Sequence, residues 1–287
     1  MNTTKVGAIL ALIMIGLVIN RADAEERSVN WTLPNQQTAL ADYFDGSADK
    51  SGVLILHGFL QTKTFSTVAR LAEGLADADY PVLTPTLSLG LSNRKKSIDC
   101  EAIHTHSMAS DTAEIDHWVR WLAATTGKPV TLVGHSIGSV KLLAYLAAYP
   151  DAPVNKAIFI SLIYFGPGPI NAESDADLLE AKAMVARGVG GELQEFGLGF
   201  CRKYLTTPDN YLSYLEWTED KVADTARSLG IPVHIVMGSK DNRFTKGWKA
   251  KLAERGLSIV SIEGANHFFD REHEFDLLDE VQRLLDE

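Results

Sequence analysis

Three residue types that together can activate a hydroxyl stand in this chain at places where strands of a sheet would end. Residues 133–138 read Val-Gly-His-Ser-Ile-Gly. Ser136 therefore occupies a Gly134-x-Ser136-x-Gly138 turn between an apolar run, 130–133, and a helical pattern, 137–149. A serine on such a strand-to-helix turn holds its hydroxyl out of the backbone, and the flanking glycines let neighbouring segments come close. Serine is a poor nucleophile at neutral pH. It needs an imidazole to take its proton, and the imidazole needs a carboxylate to hold its tautomer and stabilise its cation. Asp241 follows the apolar run 232–237, and His267 follows the run 257–262. Asp270 and Glu173 are two further carboxylates left open for the acid role.

These side chains need a scaffold that brings strand ends together, and the hydrophobic pattern supplies one. Short early strands are expected at 31–33 and 41–44. From residue 53 onward, strand and helix alternate: strand 53–56, helix 65–77, strand 80–83, a long polar loop 85–107, helix 111–124, strand 130–133, then the helix after Ser136. Strand 157–163 is followed by an insertion, 170–216, read as a helical cap with helices at 177–186 and 193–204. Alternation returns with helix 218–229, strand 232–237, helix 245–254, strand 257–262 and helix 272–285. Such alternation predicts a mostly parallel sheet covered by helices on both faces, with ligands beyond the carboxyl ends of its strands. The length suits one large domain over residues 25–287.

The Ser136, Asp241, His267 order, the glycine-flanked serine turn and the His57-Gly58-Phe59 loop after the first buried strand resemble the α/β-hydrolase superfamily over residues 50–287. The single glycine after His57, in place of a run of three, resembles its esterase, lipase and peptidase branch. The resemblance implies an α/β-hydrolase fold with Ser136 as nucleophile, Asp241 as acid and His267 as general base. It also implies an oxyanion hole made by the backbone N–H groups of Phe59 and Ile137. His57 is expected to order that loop by hydrogen bonding, and His135 to be structural or pocket-lining. The implied reaction is cleavage of a small-molecule or lipid carboxylic ester, which needs no cofactor and no metal. A peptidase, a thioesterase, or a binding protein that keeps the fold without catalysis are the other readings the sequence leaves open.

Charge and terminal composition narrow the setting. The net charge of −10 and the lack of a basic stripe exclude a nucleic-acid partner; Arg94-Lys95-Lys96 is too short to make one. Lys5, an apolar run at 6–19 and small residues at Ala22 and Ala24 read as a secretory signal peptide, residues 1–24. The run is shorter than the ~20 residues a membrane span needs, so no stable span is expected after cleavage, with an uncleaved anchor as the alternative. Export implies a periplasmic or secreted protein. Cys100 and Cys201, the chain's two cysteines, are then candidates for a disulfide, with two separate buried thiols as the alternative. Cys100, His104 and His106 are metal-capable in type, but their spacing fixes no third ligand. The composition of 196–217, rich in Phe, Tyr and Leu, suggests either an apolar binding wall or a satellite core. Acyl length, alcohol group and oligomeric state are not set by sequence.

Overall fold

In the central strands, successive side chains go to opposite layers, and both layers are apolar. The computed structural model describes residues 26–169 and 171–287. The expected signal peptide, residues 1–24, lies outside them. β3 (Val53–Leu56) shows the pattern: Leu54 and Leu56 join one core, Val53 and Ile55 the other. β7 (Val154–Ile160) repeats it, with Ala157 and Phe159 on one side and Ile158 and Ile160 on the other. A strand apolar on both faces must be covered on both faces, which is the condition for a parallel sheet layered by helices.

The remaining main-sheet strands are β1 (Glu26–Thr32), β2 (Thr38–Phe44), β4 (Val82–Thr86), β6 (Val130–His135), β10 (Val233–Gly238) and β11 (Ser258–Ile262). The spatial order is β1-β2-β4-β3-β6-β7-β10-β11. β1 pairs antiparallel with β2, and β2 with β4; the pairs from β4 to β11 are parallel. One face carries α1 (Ser66–Asp77) and α8 (His273–Asp286). The other carries α2 (Met108–Thr126), α3 (Ile137–Ala148), α6 (Glu219–Ser228) and α7 (Trp248–Glu254). This is the mostly parallel, helix-flanked sheet that the alternation predicts. Among the described residues no helix is long and apolar enough to cross a membrane.

The insertion departs from the sequence reading. α4 (Asp175–Ala186) and α5 (Pro208–Leu215) are helical, but the stretch read as helix 193–204 is an antiparallel hairpin, β8 (Gln194–Leu198) and β9 (Cys201–Thr206). The reason is at the turn: Gly199 has φ 56°, and a Cβ on Gly197 would stand 2.0 Å from the Ala172 carbonyl oxygen. Residues 85–107 also differ from a solvated loop. Their β5 (Ile103–His104) pairs with β9, and Leu87, Leu89, Arg94, His104 and His106 are buried.

Two fastenings join these irregular segments. One is covalent: Cys100 and Cys201 form a disulfide, with Cα atoms 5.2 Å apart. The other is a buried polar network. Tyr214 donates to Asp111 Oδ2 at 2.8 Å and accepts from His106 Nδ1 at 2.5 Å. His106 Nε2 accepts from the Tyr204 hydroxyl at 3.0 Å, and Lys141 pairs with Asp111 at 2.8 Å. Every member finds an opposite charge or a hydrogen bond, which is what makes burial tolerable. The histidines considered as metal ligands are thus engaged otherwise, and His104 stacks on the Tyr204 ring at 3.8 Å.

The bridge closes a loop with a sequence separation of 101 residues, so it constrains the unfolded chain strongly. Reduction should lower stability by about 2–5 kcal/mol, measured as urea unfolding with and without a reductant. Coincident unfolding curves would contradict this.

Candidate active site

Each chemical side chain stands just beyond a strand, on a turn that glycine makes possible. β6 ends in Gly134-His135, and Ser136 takes φ 57° and ψ −126° before α3 starts at Ile137. That is strained backbone for a residue with a Cβ, costing on the order of 1–3 kcal/mol. The surroundings hold it there. Ser136 N–H donates to the Ile160 carbonyl at 2.9 Å, and Ser139 Oγ donates to the Gly134 carbonyl at 2.7 Å. A Cβ on Gly134 would lie 2.6 Å from Ser139 Cα, and one on Gly138 would lie 2.5 Å from the His57 carbonyl oxygen. Neither position admits a side chain.

The Asp241 and His267 turns meet in the same manner. A Cβ on Gly238, the last residue of β10, would stand 2.3 Å from the Ala265 carbonyl oxygen. Lys240 N–H donates to that same carbonyl at 2.9 Å, which ties the two loops together. The His267 carbonyl is gripped twice, by His135 Nε2 and by Ser161 Oγ, each at 3.0 Å. The ring is left to the site. His267 Nδ1 donates to Asp241 Oδ2 at 2.7 Å, and Nε2 lies 2.9 Å from Ser136 Oγ. An ionised carboxylate only accepts, so it fixes the proton on Nδ1 and leaves Nε2 as an acceptor facing the hydroxyl. Burial pushes the Asp241 carboxyl up. The hydrogen bond and charge of His267, the Arg243 amide and the Ser161 hydroxyl outweigh this and hold it below the usual carboxylate range.

The other two carboxylates considered for the acid role bond elsewhere. Asp270 accepts from Asn266 Nδ2 at 2.9 Å, and Glu173 accepts from the Gly199 amide at 3.0 Å.

His57 shapes the neighbouring loop. Its Nδ1 donates to the Gly58 carbonyl at 2.8 Å, and its Nε2 accepts from the Leu87 amide at 3.1 Å and from Arg94 at 3.2 Å. Burial, and then the Arg94 charge, hold this ring well below the ordinary imidazole range, hence neutral. The loop so held presents Phe59. Neither the Phe59 nor the Ile137 amide finds an acceptor among the described residues. Both residues line a cavity of about 460 Å³ together with Ser136, His267, Phe200 and Arg243. Of the aromatic insertion residues, Phe200 lines this cavity. Phe196, Tyr204, Tyr211 and Tyr214 are buried in one cluster with the sheet residues Leu54, Leu132 and Phe159, so most of these aromatics are core, continuous with the main core and not a separate satellite.

Sequence reasoning missed Ser161 and Arg243. Ser161 gave no signal, because the strand was read through it as 157–163; it in fact follows β7, which ends at Ile160, and takes φ 48°. Of the two readings for His135 the structural one holds: it is absent from the cavity wall, stacks on Phe65 at 5.9 Å and holds the His267 backbone.

A model of the alpha/beta hydrolase family matches residues 53–280. No curated protein is similar to the chain in sequence. Among solved structures, the thioesterase domain from the curacin biosynthetic pathway superposes with a TM-score of 0.61 at 16% identity, covering 91% of this chain and 99% of its own. Est1E from Butyrivibrio proteoclasticus gives 0.61 at 15% identity, over 90% and 98% of the two chains. The monoacylglycerol lipase of Paleococcus ferrophilus gives 0.63 at 18% identity, over 86% and 98%. At such identities the likeness is one of fold.

The neutrality of His135 has a measurable consequence. Burial, and then the nearby His267, lower its pKa from 6.5 to about 3. Between those values the unfolded chain binds a proton that the folded chain refuses, so this residue's contribution is lost as pH falls through the window. Relative to His135→Gln, which keeps an amide donor for the His267 carbonyl, the native protein should lose up to about 1.4 kcal/mol per pH unit below pH ~6.5. Denaturant titrations at several pH values measure this, and a gap that does not vary with pH would refute it.

Proposed function

Because the chain belongs to the alpha/beta hydrolase family, we propose that it is an exported serine hydrolase that cleaves carboxylic esters through an acyl-enzyme on Ser136. The observation that carries this reading is the continuous row from Asp241 Oδ2 through both ring nitrogens of His267 to Ser136 Oγ, ending at the cavity.

In the proposed cycle, Ser136 Oγ attacks the ester carbonyl while His267 Nε2 takes its proton. Asp241 stabilises the imidazolium that forms. Negative charge develops on the carbonyl oxygen, and the free amides of Phe59 and Ile137 receive it. Fixed donors of this kind contribute about 3 kcal/mol each, because they need no reorganisation as the charge appears. The C–O bond then breaks, and His267 returns its proton to the leaving alcohol. Water repeats the sequence on the acyl-enzyme: His267 takes one proton from it, its oxygen joins the acyl carbon, and Ser136 regains its hydroxyl as the acid departs.

The insertion acts, in this reading, as a cap that supplies part of the cavity wall through Gly199 and Phe200. Export is supported by the composition of residues 1–24 and by the Cys100–Cys201 disulfide, a bond that persists in oxidising compartments.

Two measurements check the reading. With short-chain nitrophenyl esters, Ser136→Ala and Asp241→Asn should each lower kcat by about 10⁴-fold or more, with a much smaller change in KM. Near-native kcat in either variant would remove that residue from its role, and faster turnover of a matched thioester or amide would move the bond class. For export, N-terminal sequencing of protein recovered from the periplasm or medium should begin at Glu25; an intact Met1 terminus would contradict cleavage.

A further inference from the structure

One side chain in the cavity wall takes no part in the proposed ester chemistry. Arg243 is half-buried and lines the same cavity as Ser136 and His267. Among the described residues of that wall, Arg243 and His267 are the two that can carry charge, and the rest is made largely of Phe59, Ile137, Ile163, Phe200 and Phe268. Its guanidinium lies over the Phe268 ring, 4.6 Å from the centroid. Stacking orients the planar group without using its N–H donors. The root of the side chain is fixed too, since the Arg243 amide donates to Asp241 Oδ1 at 3.0 Å. Among the described residues no carboxylate stands within ion-pairing distance of this guanidinium.

Residues 240–249 hold Lys240, Arg243, Lys246 and Lys249 against one acid, Asp241, which His267 already engages. Of these, Arg243 is the one that lines the cavity, and Glu219 accepts from Thr245 in the same segment at 3.4 Å. An oriented cation with unused donors, at the wall of a mainly apolar cavity, interacts far more strongly with an anion than it would in open solvent.

We propose that the cavity selects esters that carry a carboxylate, and that Arg243 is the specificity-determining residue that receives it. The inference rests on the ester-hydrolase reading above and names its substrate class. A carboxylate fits better than a phosphate dianion. The planar fork meets a carboxylate in two parallel hydrogen bonds, and one guanidinium balances one charge. A dianion would call for a second Lys or Arg in the wall, and among the described residues none lines it.

Two pairs of isosteric esters test this. 4-Nitrophenyl hydrogen adipate and 4-nitrophenyl adipamate differ by carboxylate against carboxamide on the acyl half. 4-Carboxyphenyl butyrate and 4-carbamoylphenyl butyrate differ in the same way on the alcohol half. The readout is the ratio of kcat/KM within each pair, which cancels any general loss of activity in a variant. In the native protein the ratio should reach about tenfold in favour of the carboxylate in at least one pair. It should fall to about one in Arg243→Gln, persist in part in Arg243→Lys, and shrink as salt is added. A native ratio near one in both pairs, or a preference that survives Arg243→Gln, overturns the proposal while leaving the ester reading intact. Failure of the ester reading has its own signature: none of the four esters is turned over. The same pairs are then compared by calorimetric binding to the native protein. A carboxylate preference that depends on Arg243 sustains the anion site, and its absence overturns it.

Discussion

Backbone comes closer to backbone around this site than any side chain would permit. At Gly134, Gly138 and Gly238 an added Cβ would fall within 2.3–2.6 Å of main-chain atoms. These contacts set the height and direction of three strand exits. They drive Ser136 into its left-handed φ and bring the Asp241 and His267 loops within hydrogen-bonding range of each other. The strain at Ser136 is tolerated because the turn is over-determined: the Ile160 carbonyl holds its amide, and Ser139 locks the turn that follows. The sheet beneath is rigid for an ordinary reason, two apolar layers buried by alternate residues of the same strands.

Electrostatics acts on this frame mainly by keeping imidazoles neutral. His57, His106 and His135 are buried, and burial is the leading cause of the fall in each one's proton affinity. A neutral ring donates from one nitrogen and accepts at the other, and all three rings are used that way or as a single donor. His57 bridges the Gly58 carbonyl and the Leu87 amide, His106 joins Tyr214 to Tyr204, and His135 supports the His267 carbonyl. His267 differs because its donor meets a carboxylate and its acceptor meets a hydroxyl that borders a cavity. The same residue type serves as a structural bridge or stands at the cavity according to its neighbours.

Much of this frame could be read from the chain. The alternation of apolar runs with helical periodicity gave the parallel sheet, because strands buried on both faces are apolar at every position, as in 53–56. Ser136, Asp241 and His267 stood out because each follows such a run. The β8–β9 hairpin did not, since Phe196, Phe200 and Tyr204 recur every four residues and fit a helix, while the run Phe196-Gly197-Leu198 is buried at every position in the strand. Residues 85–107 looked solvated because Arg94, His104 and His106 are polar; only their distant partners explain their burial. The disulfide needed a distance that no sequence contains. Arg243 was hidden for a similar reason: a lone arginine in a turn gains meaning only from the cavity in front of it.

Stereochemistry at the strand ends and the hydrogen bonds of the His267 imidazole thus converge on one atom, Ser136 Oγ, whose nucleophilicity is the core of the proposed function. The most direct measurement is intact-protein mass spectrometry after exposure to a fluorophosphonate, with the adduct mapped by proteolysis. A serine made nucleophilic by an adjacent imidazole should give one adduct on Ser136 in the folded protein and none after unfolding. An unmodified native protein, or an adduct on another residue, would contradict a nucleophilic role for Ser136.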